Sequence, residues 1–201
     1  NTKEYSFYFI NKIFNYQLEK NRFYKELGYP VNLKNPKSFN EKVFWKKIND
    51  RNPLLPYTAD KYLVRSYIRE LLGEEISKKI LIPLFYVTDE PDTIPFEKIP
   101  LPFIVKPNHG SGLKIIVENE LYDKKEITKT CYRWLKAPYG LDKLEWAYQL
   151  IKRKIIIEKL LRSEHGNNPS EFKFHMFYGK CKLVYVILDR LNDSSRVYYD
   201  E

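Results

Sequence analysis

Two runs rich in β-branched residues, Pro102 to Lys106 and Ile115 to Val117, are separated by a turn containing Asn108-His-Gly-Ser-Gly112. That turn holds two of only seven glycines in the chain. Each run is too short and too β-branched for a helix, so the segment reads as two strands joined by a turn. Glycine there lets the backbone take φ > 0 and come close to another group. Exposed N–H groups in such a turn form a concavity that suits an anion. Lys106 supplies a positive charge at the root of the turn and Lys114 a second at its exit. On these residues alone, a hairpin with a flexible tip and a phosphate-binding loop both remain open.

Charge favours an anionic partner of some kind. The 201-residue chain carries 35 Lys+Arg against 26 Asp+Glu, a net charge of +9. A nucleotide, a sugar phosphate, a nucleic acid or an anionic membrane face would all be attracted. The cations are interspersed with acids and no nucleic-acid motif is present, so no nucleic-acid partner is expected. No apolar run approaches the ~18 residues of a membrane span, and no signal peptide is recognised. Peripheral association with membrane-bound machinery stays open. Cys131 and Cys181 lack metal-ligand spacing, which fits buried thiols in a reducing cytoplasm. The first residue is Asn rather than Met, which suggests that an upstream piece or a tag has been removed.

Local patterns give the following organisation. Residues 3 to 28 read as one aromatic-rich helix stopped by Gly28 and Pro30. Ser38 and Glu41 have the spacing of a capping box for a helix carrying Phe39, Val43, Phe44, Trp45 and Ile48, closed by Asp50 to Pro53 and Pro56. Asp60 opens a helix that ends before Gly73, and Leu81 to Val87 reads as a strand. The proline-rich segment Asp89 to Pro102 is irregular. Asp123 to Lys136 is a helix with Ile127, Cys131, Trp134 and Leu135 inward, Leu144 to Lys152 a short helical stretch, and Lys154 to Leu161 a strand. Arg162 to Ser170 is a polar, mobile loop. Glu171 to Tyr178 and Lys182 to Arg190 form an antiparallel hairpin around Tyr178-Gly179-Lys180. The sum is an α+β chain with mainly antiparallel sheets.

In this order, several segments together resemble the ATP-grasp superfamily, and within it the TupA-like branch associated with polysaccharide biosynthesis. They are Lys37 to Trp45, Asp50 to Leu54, Ala59 to Arg65, Phe103 to Gly112, Ile155 to Leu160, Phe172 to Phe174 and Asp189-Arg190. The resemblance implies an ATP-grasp fold, with ATP held between two α+β subdomains. It divides this chain into a helical N-terminal segment (1–58), a first subdomain with the glycine hairpin (59–152) and a partial second subdomain (153–201). By resemblance, Lys61 and Lys106 contact the phosphates and are the catalytic candidates. Asn108, His109, Gly110, Ser111, Gly112 and Lys114 cap the triphosphate. Glu158, Lys159, Leu160 and Leu161 form the hinge that reads adenine. Glu171 takes the ribose hydroxyls, where this branch often has Asp, and Lys173 matches a nearby lysine. His165 and His175 receive no role.

The cofactors implied are ATP and Mg²⁺. Members of the superfamily hold the metal on late strands of the second subdomain, and those segments are expected beyond Glu201, so no metal ligand is assigned. Asp189, Arg190 and Asp200 are the last candidates for acidic or substrate-side duties. The activity implied is a cytoplasmic carboxylate–amine ligase that makes an amide through an acylphosphate. Its partners would be a small-molecule or saccharide carboxylate, such as a uronic acid, and an amine such as an amino acid. A glycosyltransferase or polysaccharide kinase of the same pathway is the alternative, although no Asp-x-Asp motif supports the metal-dependent form. A nucleotide-binding module without turnover is the third reading.

Overall fold

The alternation Phe103-Ile-Val-Lys-Pro107 builds the main sheet. Phe103, Val105 and Pro107 are buried on one face, and Ile104 and Lys106 point to the other, as a period of two requires. The computed structural model describes residues 2–163, 168–188 and 195–200. The chain divides into two compact units, residues 1–158 and 159–201, and is α+β in class.

In the first unit, β1 (Leu84–Thr88), β2 (Phe103–Pro107), β3 (Ile115–Val117) and β4 (Ile155–Lys159) form a sheet in the order β1-β4-β2-β3. Both β1 with β4 and β2 with β3 are antiparallel, with Leu84 opposite Glu158 and Ile104 opposite Ile116. One face packs its apolar residues, Phe103, Val105, Val117, Ile155 and Ile157, around Ile127 and Cys131 of helix α6 (Lys124–Lys136). Asp123 caps that helix by accepting from the N–H groups of Lys125 and Glu126. Burial pushes the Cys131 thiol up to about 12, so it is an inert core group.

The helical part differs from the sequence expectation in three places. Residues 3 to 28 are two helices, α1 (Thr2–Ile13) and α2 (Gln17–Leu27), because Asn15 and Tyr16 take left-handed φ of 49° and 59° and break the ladder. A short helix, α4 (Leu54–Ala59), follows α3 (Phe39–Asn49). Pro56 lies in its first turn, where a missing N–H costs nothing. Helix α5 runs from Leu63 to Ile80. Gly73 does interrupt it, with φ 77° and ψ 165°, but a further helical segment continues beyond the kink. The capping box of α3 is present: Ser38 accepts from Glu41 N–H, and the Glu41 carboxylate accepts from Ser38, Asn32 and Lys37. Those backbone donors, Ser38 first, hold the Glu41 carboxyl at about 2.

The connections are shorter than the patterns suggest. Two 3₁₀ turns, Pro91–Thr93 and Phe96–Lys98, occupy the proline-rich link, and the 144–152 stretch is a 3₁₀ turn over Trp146–Leu150. In the second unit, β5 (Glu171–Phe177), β6 (Lys180–Leu188) and β7 (Ser195–Asp200) form an antiparallel sheet in that order. Tyr178 and Gly179 both take positive φ, 50° and 78°, which is the two-residue turn whose twist matches the flanking strands. Strand β7 was not expected from the sequence. The assignments to His165, Asp189 and Arg190, and part of the polar loop, fall outside the described residues.

Candidate functional site

Lys106 and Glu158 meet because neighbouring strands present the same face. Lys106 is on the outward side of β2, and Glu158, one step after the core residue Ile157, is on the matching side of β4. The Lys106 ammonium forms an ion pair with Glu158 Oε2. Arg65 of α5 closes the cluster, donating from Nη1 to Glu158 Oε1 at 3.1 Å and from Nη2 to the Ile82 carbonyl at 2.6 Å. Arg65 and Glu158 are only 6% and 4% exposed. A buried carboxylate between two cations holds both side chains in place.

Asn108 fastens the root of the glycine loop. Its amide donates to the Lys152 carbonyl (3.0 Å) and accepts from Lys154 N–H (2.7 Å), while its own backbone N–H donates to the Lys154 carbonyl (2.9 Å). The Asn108 carbonyl accepts from Lys61 N–H at 3.0 Å. The Lys61 ammonium donates to the Gly110 carbonyl and, at 3.5 Å, to that of Asn108. Asp60 accepts from Tyr62 and Leu63 N–H and sets the start of α5 just after Lys61. Gly110 has φ 85°, and a Cβ there would lie 2.7 Å from Cδ2 of Tyr139. Gly112, with φ 82°, has open space around it. Ser111, Gly112 and Lys114 form an exposed tip.

The site is therefore cationic and partly desolvated. Burial, and then the charge of Lys106, lower the Lys61 pKa to about 8 against the opposing pull of Asp60 and Glu158. Below that pH Lys61 is a cation, and above it the charge is lost. Affinity of the free protein for an anion of fixed charge should fall as pH rises from about 7 to about 9. Sulfate titrations followed by NMR would read this, and Lys61→Arg, which stays protonated, should flatten the profile. Equal sulfate affinity of the wild type at both pH values would remove Lys61 from the site.

The remaining expected residues are placed as follows. His109 is enclosed, 1% exposed, and burial with the nearby Arg153 charge lowers its pKa to about 4, so its ring is neutral near pH 7. In the second unit, Lys159 is exposed, Leu160 buried and Leu161 41% exposed. Glu171 and Lys173 share one face of β5 and form an ion pair at 3.5 Å, with Lys173 also 5.4 Å above the Tyr185 ring. The structure thus gathers Lys61, Lys106, Asn108, Gly110 and Glu158 into one cluster. It adds Arg65, in the first turn of α5, which no local pattern in the sequence marks. Among the described residues no group of three or more His, Cys, Asp or Glu could hold a metal ion. None of the described helices is long and apolar enough to cross a membrane.

A glycine loop open at its tip, pinned at its root and flanked by two fixed lysines can hold a phosphate chain: backbone N–H groups at the bend, ammonium groups beneath. Compared with known proteins, residues 41–201 match the family model described as TupA-like ATPgrasp. No curated protein and no solved structure matches the chain.

Proposed function

The chain belongs to the TupA-like ATP-grasp family, and from that premise we propose that it is an ATP-dependent carboxylate–amine ligase acting in cell-surface polysaccharide biosynthesis. The observation that carries this reading is the pairing of Lys61 and Lys106 at the root of the glycine loop. Both ammonium groups are oriented by protein acceptors before any ligand arrives, and preorganised charge is the main resource of phosphoryl transfer. The residues fit a triphosphate: cations exceed the carboxylates that hold them, and Gly112 at the exposed tip, with φ 82°, has open space where a Cβ would stand. ATP, when bound, supplies the phosphoryl group that activates a carboxylate. Magnesium, when bound, would offset phosphate charge; among the described residues no group of three or more His, Cys, Asp or Glu offers it a site made of protein ligands alone.

In this reading Lys106 holds phosphate oxygens and Glu158 keeps its ammonium from swinging away. Lys61 ties the loop to α5 and keeps one N–H free for the ligand. Arg65 fixes Glu158. The test is calorimetric titration of ATP against the wild type and Lys106→Ala. Loss of one charge-assisted contact of about 1.5–3 kcal/mol should weaken binding by roughly 10- to 100-fold. Unchanged affinity would remove Lys106 from the phosphate site. Tighter binding of a UDP-sugar than of ATP would replace the ligase with a sugar-nucleotide enzyme.

A further inference from the structure

A cavity of about 380 Å³ lies between α3, α4 and the 3₁₀ turn at Trp146. It is small, near the lower end of the ~300–1,000 Å³ range of ligand sites. Most of its wall is apolar, formed in part by Val43, Leu55, Leu144 and Trp146, and four charged side chains reach it. Two of these satisfy each other, Lys46 pairing with Asp50 at 3.4 Å. Lys47 and Glu145, both half-buried, form no ion pair within 4.0 Å among the described residues. Glu19 lies near enough to Lys47 to feel its charge, but no carboxylate is in direct contact with the ammonium. A cavity that presents one cation and one carboxylate, neither in a direct ion pair, on an otherwise apolar wall matches a ligand carrying both signs of charge.

The cavity also adjoins the glycine loop by two routes. Ala59, on its wall, is two residues before Lys61, so their Cα atoms are at most ~8 Å apart. Tyr148, also on the wall, packs edge-on against Tyr139 with ring centroids 4.9 Å apart, and Tyr139 is the ring that crowds Gly110.

We propose that this cavity binds a free α-amino acid with an uncharged side chain, its carboxylate on Lys47 and its ammonium on Glu145. Binding stands on the cavity alone; the role of this amino acid as the amine substrate rests on the ligase reading. The test uses the full chain without ATP. Each standard L-amino acid is titrated by saturation-transfer NMR, and the strongest binder is compared with its des-amino acid and its decarboxylated amine. The expected result is binding by an amino acid with an uncharged side chain, at least tenfold weaker binding of both analogues, and at least tenfold loss in Lys47→Ala and in Glu145→Gln. Lys42→Ala, an exposed position of α3 outside the cavity, should bind like the wild type. Absence of binding by all the amino acids, equal binding of either analogue, or binding unaffected by both variants would overturn the proposal. ATP affinity, measured separately on the same samples, reports on the ligase reading, so either can fail without the other.

Discussion

Replacing Glu158 by Ala should lower the unfolding free energy by about 3–5 kcal/mol, the cost of leaving a buried charge without its partner. Arg65 is only 6% exposed, and its Nη1 would lose its acceptor while Lys106 lost the carboxylate that orients it. For a chain of this size the melting temperature should drop by about 6–20 °C. Glu158→Gln keeps an acceptor for Arg65 and should cost less. The double change Arg65→Met with Glu158→Leu removes the buried ion pair as a whole and should recover part of the loss, because an apolar replacement of similar volume needs no counter-charge. Thermal melts of the three variants decide the matter. A melting temperature for Glu158→Ala within about 2 °C of the wild type would show that the cluster contributes little to the fold.

The second large effect is expected at Gly110. An Ala there must hold φ near 85°, and its Cβ would stand 2.7 Å from Cδ2 and 2.9 Å from Cγ of Tyr139. Backbone strain of ~1–3 kcal/mol and overpacking of ~1–3 kcal/mol add to about 2–6 kcal/mol. The backbone can relieve this only by moving the Gly110 carbonyl, which is the acceptor of the Lys61 ammonium. ATP affinity should therefore fall at least as far as stability suggests, by about tenfold or more. Gly112 provides the control: it has a similar φ of 82° but nothing near its Cβ position, so Gly112→Ala should carry only the strain. Denaturant titration and ATP calorimetry of both variants give the comparison. Tyr139→Ala in the Gly110→Ala background should restore part of the stability, and equal behaviour of the two glycine variants would show that the Tyr139 contact is unimportant.

The elements legible in the sequence were those whose period is unmixed. Helix α6 places Ile127 and Cys131 in the core at i and i+4, and strand β2 alternates cleanly enough to turn Lys106 away from the core, while β4 is an unbroken apolar run in which Glu158 is marked by its charge. The break between α1 and α2 was hidden because neither Asn15 nor Tyr16 is a strong helix breaker; the left-handed turn there uses conformations that Asn tolerates and Tyr rarely takes. Helix α4 was masked by Pro56, which reads as a stop unless its position in the first turn is known. At the site, the lysines and glycines were readable from residue type and order. Arg65 was not, because its partner lies 93 positions away, and only the fold brings Glu158 and the Ile82 carbonyl to its guanidinium. The pairing of α5 with the sheet is a tertiary fact that no local window contains.

Asn108 carries a different lesson. Its side chain must donate a hydrogen bond to the Lys152 carbonyl and accept one from the Lys154 N–H at the same time, in a space closed to solvent. Aspartate of the same shape would turn an oxygen toward a carbonyl oxygen, serine would reach neither partner, and glutamine is one methylene too long. The position therefore works like a key cut for a two-sided lock, and a mutational route through it is closed on every side. Any descendant of this chain that keeps the loop anchored in this way inherits that amide with it, even where the exposed residues at the tip drift freely.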